Sequence, residues 1–267
     1  ETNDLAKFKD YIYTHTKSDI SIADPIIIRL VKPVEKLKVN QDLSPKILSI
    51  KPEVKGKLWL STDRNLMFQP EENLLSGSKY QISLHLDELY KDVVGEFKTY
   101  TFQLSTLKPD FKINLQSLES YNQDWAFRFA EVETSDVMVL EQLKKVISAR
   151  QNQNPLPLDW SENAETSKYF KFKIDSIKRF EGSSTVEISW DGKAVQSKNK
   201  GKNSFKIPAK NDFKVLELQT SGTGNPKVSI NFSQQLATNQ NLEGLIQVDK
   251  ELDLNYDIDG HNLFIYP

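Results

Sequence analysis

The chain has 267 residues, of which 38% are hydrophobic and 27% charged, a globular balance that excludes a disordered tail. Lysine and arginine total 35 against 37 aspartates and glutamates, so the net charge of −2 argues against a nucleic-acid groove or a polybasic membrane patch. Cysteine is absent, which excludes disulfides, thiol nucleophiles, zinc–thiolate sites and a thioester within this chain.

The two ends of the sequence carry expectations about processing. Glu1 opens directly into polar sequence without the apolar core of a signal peptide, so either the protein is cytosolic or a leader has been removed. No apolar run approaches the roughly 20 residues that span a bilayer, which predicts a soluble chain. Asn262–Pro267 has the pattern of a strand and lacks a polar tail, so we expect an excised piece of a longer protein.

Most of the chain alternates apolar and polar residues with period two, which is typical of half-buried β-strands. The alternation predicts an all-β protein made of tandem Ig-like β-sandwich modules. The predicted strands include Ile26–Leu30, Leu58–Leu60, Leu66–Phe68, Tyr80–Leu86, Tyr100–Leu104, Phe170–Ile174, Val186–Trp190, Phe205–Ile207 and Phe213–Leu218.

Two segments have helical spacing instead. Leu5–Tyr13 places apolar residues on one face, which predicts a short N-terminal helix. The segment at about 135–150 predicts an amphipathic helix inserted in the middle module, with Thr134 or Ser135 as its cap and Asp136 at its positive end. The apolar positions of this second helix are Val137, Leu140, Leu143 and Ile147.

Turn-forming residues divide the chain into modules. Asp191-Gly192 between alternating strands predicts a hairpin turn, because glycine accepts the positive φ that such a turn requires. Leu107–Asp110 ends the first strand-rich block, and Ser221–Pro226 has the composition of a linker. The predicted modules are 1–109, which carries the short N-terminal helix, 110–224, which carries the inserted helix, and 225–267, the start of a truncated third module.

The first and third modules resemble each other. The segment Asn65–Pro70 matches Asn262–Pro267, and Trp59 matches Tyr256. Upstream, the matched apolar positions are Ile26, Ile28, Leu30 and Val34 with Val228, Ile230, Phe232 and Leu236. Such a repeat indicates a string of similar modules, so we expect Pro25–Pro70 and Pro226–Pro267 to fold alike.

Several segments together resemble the N-terminal modules of bacterial α2-macroglobulins, most closely the Bacteroidetes-type proteins. The likeness spans nearly the whole chain. Its motifs are Tyr11–Thr16, Ile20-Ser21, Pro25–Val34, Gly56–Trp59, Asn65–Pro70 and Leu75–Tyr80, then Trp125–Val132, the expected Val137–Ile147 helix, Leu158–Trp160 and Trp190–Gly192.

The resemblance implies a large cell-envelope protein that inhibits endopeptidases by trapping them. In that family a protease cuts an exposed bait segment and the chain collapses around it, and many members add a Cys-Gln thioester, which this chain cannot supply. The implied role here is a non-catalytic N-terminal framework of macroglobulin-type modules, exported, monomeric and held to the membrane by a lipid anchor upstream of Glu1. The implied partners are the remaining modules and the target proteases, and no nucleic acid.

The sequence offers weak candidates for catalysis or metal binding. His15, His85 and His261 lie in different segments without a cysteine or a nucleophile elbow, and an enzyme would need a pocket that brings one against a carboxylate. The acidic run Asn255–Gly260 has Tyr266 where a calcium loop needs a carboxylate, so we interpret it as a β-turn. Lys198–Lys202 predicts a solvated hairpin loop rather than a phosphate site. We expect no catalytic residue, metal or cofactor.

The tryptophans support an alternative function. Trp59, Trp125 and Trp190 lie in apolar strand patterns and are predicted to fill sandwich cores. Trp160, beside Asp159 and a polar loop, is expected to be the exposed aromatic contact. The alternative is therefore an Ig-like stalk of a cell-surface adhesin or polysaccharide-binding protein, which predicts an exposed aromatic patch around Trp160.

Overall fold

The structure is a computed structural model that describes residues 4–161, 165–222, 226–242, 244–247 and 253–267. The pattern of contacts along the chain divides it into two units. Unit 1 is formed by Glu1–Pro109 with Ser135–Val137, and unit 2 by Asp110–Thr134 with Met138–Pro267. Both units consist of antiparallel sheets, so the prediction of an all-β chain is confirmed.

The strands of unit 1 are β1 (Ile12–His15), β2 (Ile26–Leu30), β3 (Leu48–Lys51), β4 (Gly56–Thr62), β5 (Asn65–Pro70), β6 (Lys79–His85) and β7 (Thr99–Ser105), with 3-10 turns at Leu86–Glu88 and Gly95–Phe97. One sheet has the order β1-β2-β5-β4 and the other the order β3-β6-β7. Alternate residues of both sheets, such as Ile28, Leu66 and Ile82, fill one shared core. Unit 1 is therefore a two-layer β-sandwich.

The helix expected at Leu5–Tyr13 is wrong. Residues 5–11 form turns, and β1 begins at Ile12, which pairs with Leu30 of β2. Phe8, the other apolar residue of the predicted face, is fully buried with its ring 5.0 Å from that of Tyr100. Pairing with β2 and burial of Phe8 satisfy this segment without a continuous helix.

The strands of the sandwich in unit 2 are β8 (Phe111–Ser120), β9 (Trp125–Val139), β10 (Ile147–Gln151), β11 (Asn154–Leu156), β12 (Leu158–Trp160), β13 (Thr166–Lys178), β14 (Ser184–Asp191) and β15 (Lys200–Ile207). The two sheets have the orders β12-β13-β9-β8 and β11-β10-β14-β15. They enclose one core that includes Val132, Phe172 and Ile188. This second sandwich has the same Ig-like two-layer construction.

The helix expected at about 135–150 is also wrong. β9 continues to Val139, helix α1 is a single turn at Leu140–Leu143, and β10 starts at Ile147. Within β9 the burial alternates with period two, and Met138 pairs with Ser167 of β13. Asp136 caps no helix: Ser135–Val137 belong to unit 1, and within that unit the Asp136 carboxylate accepts hydrogen bonds from the Ser21 hydroxyl (2.5 Å) and the Ile22 amide (2.7 Å).

The third sheet, also in unit 2, contains β16 (Val215–Ser221), β17 (Lys227–Phe232), β18 (Asn255–Asp259) and β19 (Asn262–Tyr266) in the order β16-β17-β19-β18. The predicted module boundary between 224 and 225 falls on residues outside the described part of the chain. It separates β16 from β17, which pair as neighbours with Leu218 opposite Ile230. The predicted linker therefore connects two strands of one sheet.

The hairpin predicted at Asp191-Gly192 joins β14 to β15, with Asp191 opposite Lys200. The connection is longer than a two-residue turn, because Gly192–Val195 forms a 3-10 helix first. Gly192 is needed for closeness rather than for a positive φ, since a Cβ there would lie 2.8 Å from the Ser197 Cβ.

Candidate functional site

The repeated sheet is the strongest functional feature that the sequence predicts. In the first sheet Ile26 lies opposite Phe68 and Ile28 opposite Leu66. The third sheet places Val228 opposite Ile265 and Ile230 opposite Leu263, which is the same register at the matched positions. The described strands of Pro25–Pro70 and Pro226–Pro267 therefore form sheets with the same register, while residues 243 and 248–252 of the second span lie outside the described part of the chain.

The repeat extends further upstream than the sequence indicates. β1 has a bulge between Ile12 and Thr14, and β16 has a bulge at the corresponding place, between Val215 and Glu217. Three hydrogen bonds from a backbone N–H to a backbone carbonyl are also repeated. In the first copy they run from Leu30 to Arg64, from Val34 to Asp63 and from Val31 to Tyr11. In the second copy they run, in the same order, from Phe232 to His261, from Leu236 to Gly260 and from Ser233 to Lys214. The repeated element is therefore a four-stranded sheet that begins with β1 and β16.

One matched pair is displaced by one residue. Tyr256 lies opposite Ile265, whereas the residue opposite Phe68 in the first copy is Leu58 and not Trp59. A bulge in β4 between Leu60 and Thr62 inserts the extra residue. The counterpart of Tyr256 is therefore Leu58.

Trp160 is half-buried rather than exposed. Its ring lies 4.6 Å from the ring of Phe172, and it lines a groove of about 680 Å³ together with Ser148, Arg150 and Asp159. The groove lies between the edge strands of the two sheets of this sandwich. A role for Trp160 as an aromatic contact stays a prediction.

A group of exposed aromatic residues lies instead on the outer face of β9. Trp125 and Phe129 are each 40% exposed, whereas Ala126 and Ala130, which follow them directly, are fully buried. The ring of Phe127 lies 5.4 Å from that of Phe129. The expectation that Trp125 fills the core is wrong, because the alanine face of β9 points inward. We call Trp125, Phe127 and Phe129 the aromatic stripe.

Trp59 and Trp190 are half-buried, and Trp190 packs against the edge of its sandwich core. The indole Nε1 of Trp190 donates to the Asn199 side chain at 2.8 Å, and its ring packs over Gly201, where a Cβ would lie 2.7 Å from it. These contacts give Trp190 a structural role at the end of β14.

A lysine-centred cluster borders the aromatic stripe. Lys173 donates to the Tyr121 hydroxyl at 2.8 Å and lies 3.0 Å from Asp175 and 3.4 Å from Asp159. The bond to Tyr121, followed by the bond to Asp175, raises the pKa of Lys173 above its ordinary value. The ammonium group also lies 5.8 Å from the ring centre of Phe127, so charge and aromatic surface are adjacent here.

The three histidines remain separate, each with its own local partner. His15 Nδ1 lies 2.8 Å from the Thr16 carbonyl oxygen, and His261 Nδ1 lies 3.2 Å from the Phe232 carbonyl oxygen. His85, on the outward face of β6, lies 3.3 Å from the Thr99 hydroxyl. None of the described His, Asp and Glu residues forms a group of three or more that could hold a metal ion.

The acidic and basic runs both lie in hairpins, but most of each run is strand rather than the predicted turn or loop. Asn255–Asp259 is strand β18, and Gly260 has the positive φ of 58° that its turn into β19 requires. Lys200 and Lys202 lie in β15, where they pair at 2.9 Å with Asp191 and Glu187 of β14. The lysine run is therefore partly strand rather than all loop.

Sequence reasoning missed a buried arginine that holds the third sheet. Arg179 is buried, and its guanidinium donates to the backbone carbonyls of Ser233 (2.6 Å) and Ala209 (2.9 Å). Burial lowers its pKa, and the charge of Asp212 opposes the shift. An arginine between Lys178 and Phe180 gives no sequence signal that it will be enclosed.

No helix in the described ranges is both long and apolar enough to cross a bilayer. No family model matches the chain, and no curated protein matches it. Among solved structures, the titin I9–I11 tandem aligns with 94% of this chain and 88% of its own at 9% identity and a TM-score of 0.27.

The ectodomain of mouse nectin-like molecule 4 aligns over 95% of this chain and 87% of its own, with 8% identity and a TM-score of 0.29. L,D-transpeptidase 3 from Mycobacterium tuberculosis aligns over 44% of each chain, with 11% identity and a TM-score of 0.25. This chain therefore spans less than half the length of that transpeptidase. Likenesses this weak carry no argument, and the fold assignment rests on the sheets described above.

Proposed function

We propose that this chain is a non-catalytic framework segment from the N-terminal side of a bacterial α2-macroglobulin-like protease trap in the cell envelope. The observation that carries the proposal is the four-stranded sheet used twice, with one register, one bulge position and one set of connecting hydrogen bonds. A module that is repeated in this way supports a serial scaffold.

The framework acts mechanically. Each complete sandwich buries one face of every strand in a closed apolar core, as Ile28, Leu66 and Ile82 illustrate, so it moves as a rigid unit. In a trap, cleavage of a bait segment elsewhere releases such rigid units to rearrange around the protease. The chain supplies framework and no chemistry, because its histidines are separate and each has a local partner.

The partners of the framework follow from this role. It contacts the remaining modules of its parent chain, and it meets target proteases only through the full-length protein, which we expect to be monomeric and anchored by a lipid upstream of Glu1. A thioester, where the parent has one, comes from another part of the protein, since this chain has no cysteine.

The test uses the full-length protein and a trypsin-like or elastase-like endoprotease. A trap is expected to block hydrolysis of a large protein substrate while hydrolysis of a small peptide substrate continues, because the protease is enclosed and its active site stays free. A protease blocked beforehand by a covalent active-site inhibitor is the control, since it cannot cut the bait. Failure of the full-length protein to inhibit overturns the trap, and inhibition by the isolated chain overturns the framework role.

The aromatic stripe favours a second candidate, a polysaccharide-binding stalk. Trp125 and Phe129 present exposed rings, with the Lys178 ammonium 5.9 Å from the ring centre of Trp125, and could stack on sugars. The test is binding of the chain to a panel of bacterial polysaccharides, comparing Trp125→Ala with Trp160→Ala and with Tyr13→Ala as the exposed aromatic control. Binding lost only with Trp125→Ala supports the stalk, and absence of binding by the unsubstituted chain excludes it.

A further inference from the structure

The third sheet exposes the face that the first sheet buries. Ile12 of β1 is 1% exposed, whereas Val215 at the matched position of β16 is 55% exposed. Ile28 is fully buried, whereas Ile230 at the matched position of β17 is only half-buried. The exposed inner face of the third sheet therefore lies under β16 and β17, and we call it the open face.

The other side of the same face is already covered. Leu263 and Ile265 of β19 are buried, and the connection between β17 and β18 contributes Leu242 and Ile246 to their packing. In unit 1 the corresponding connection contains β3, which covers part of the first sheet. Only part of the face is therefore uncovered. The corresponding part of the first sheet lies beneath β6 and β7, the other two strands of the second layer in unit 1.

The first sheet shows which element covers this part. His15 of β1 stacks on Phe102 of β7, with ring centres 3.9 Å apart, and also lies near Tyr100. The third sheet has Leu218 at the position of His15, because Leu218 pairs with Ile230 as His15 pairs with Ile28. Leu218 is 59% exposed, so it is an apolar side chain at a contact position without a covering strand in the described chain.

We propose that the open face binds an antiparallel β-hairpin of the β6–β7 type, whose second strand lies across β16. The required chemistry is two strands that each present alternating apolar residues, as β6 and β7 do with buried Tyr80, Ile82, Leu84, Tyr100, Phe102 and Leu104. In unit 1 the hairpin follows Pro70, to which Pro267 corresponds in the repeat. The expected occupant is therefore a β-hairpin of this chemistry, and the position of Pro267 is the natural place to attach one experimentally. This inference does not depend on the protease-trap proposal.

The apolar side chains of the open face fit this occupant. Val215, Leu218 and Ile230 form a continuous apolar strip across β16 and β17, extended by Phe213, whose ring stacks on Phe232 at 5.1 Å. Burial of such a strip against a second layer is the dominant stabilising contribution in a β-sandwich. A polar or flat partner would leave these side chains in water.

The experiment appends a copy of residues 71–107 of this chain after Pro267. Because the chain has no cysteine, Leu218→Cys introduces a single thiol on the open face, and Tyr169→Cys, at a site 70% exposed in the other sandwich of unit 2, is the matched control. The maleimide reaction rate is measured for both variants with and without the appended hairpin. We expect the two thiols to react at similar rates without the hairpin and the Leu218→Cys thiol to slow at least about tenfold with it.

A third version of the hairpin carries Phe102→Asp at the copied position and is expected to restore fast labelling of the Leu218→Cys thiol. Equal labelling of both thiols in the chain with the hairpin overturns the proposal. Protection of the Leu218→Cys thiol in the chain without the hairpin also overturns the proposal. If this protection increases with chain concentration and sedimentation shows dimers, the occupant is a second copy of the chain. If the protected chain is a monomer, the face is closed.

Discussion

Substitution of isoleucine by alanine at matched positions of the two sheets measures how much of each sheet is covered. Ile28 and Ile230 are the same residue type, and each lies opposite a leucine in the same register. The substitution removes three carbon atoms, worth about 2.4 kcal/mol at about 0.8 kcal/mol per buried group. In the closed core around Ile28 an unfilled cavity adds about 1 kcal/mol, so Ile28→Ala is expected to cost about 3.4 kcal/mol.

Ile230→Ala is expected to cost only about 1.2 kcal/mol, because the side chain is half-buried and water enters the space that it leaves. The assay is hydrogen–deuterium exchange across a urea series, followed separately in peptides from β5 and from β19. This readout gives each sheet its own free energy of unfolding. Losses that agree within about 0.5 kcal/mol would refute the reasoning, since they would mean that both faces are equally covered.

Arg179→Met is expected to destabilise unit 2 by about 3 kcal/mol in urea denaturation, because the buried Ser233 carbonyl and the part-buried Ala209 carbonyl lose their donor. Gly56→Ala is expected to lower the melting temperature of unit 1, since its Cβ would lie 2.4 Å from a backbone oxygen, whereas Gly182→Ala, with open space around it, is the neutral control in unit 2. The Ser117 hydroxyl and then Gln219 hold the pKa of Glu217 below its ordinary value. The contribution of Glu217 to the free energy of unfolding is therefore present above the unfolded pKa of about 4.3 and is lost as the pH falls. Because Gln does not titrate, Glu217→Gln is expected to flatten the acid side of a plot of unfolding free energy against pH.

The sequence predicts strands well where burial alternates, and fails where two periodicities fit the same residues. Val137, Leu140 and Leu143 have helical spacing, yet Val137 and Met138 also continue the alternation of β9. The pairing of Met138 with Ser167 favours the strand over the helix. Because Ser167 is distant in sequence, the local pattern around Met138 does not reveal this pairing. Local propensity is overridden here by a tertiary hydrogen-bond ladder.

Alternation also leaves open which face of a strand is buried. Along β9 the aromatic residues would be assigned to the core by hydrophobicity, but Ala126 and Ala130 point inward, so Trp125 and Phe129 lie outside. The space left by the opposite sheet determines this choice, and the sequence of β9 does not contain it. Arg179 is similar, because the carbonyls that enclose it belong to residues 30 and 54 positions away.

Polar contacts hold the β16 side of the third sheet, whose open face has no second layer in the described residues. Ser117 of β8 donates to Glu217 on the outer face of β16, and Arg179 binds the carbonyl of Ser233 directly after β17. The buried Ser233 hydroxyl in turn accepts from the Lys214 amide and donates to the Asp212 carbonyl. These bonds need little apolar area, so they fix the strands while leaving Leu218 exposed. The sheet is thereby preorganised for the hairpin, which can dock without first ordering the strands that receive it.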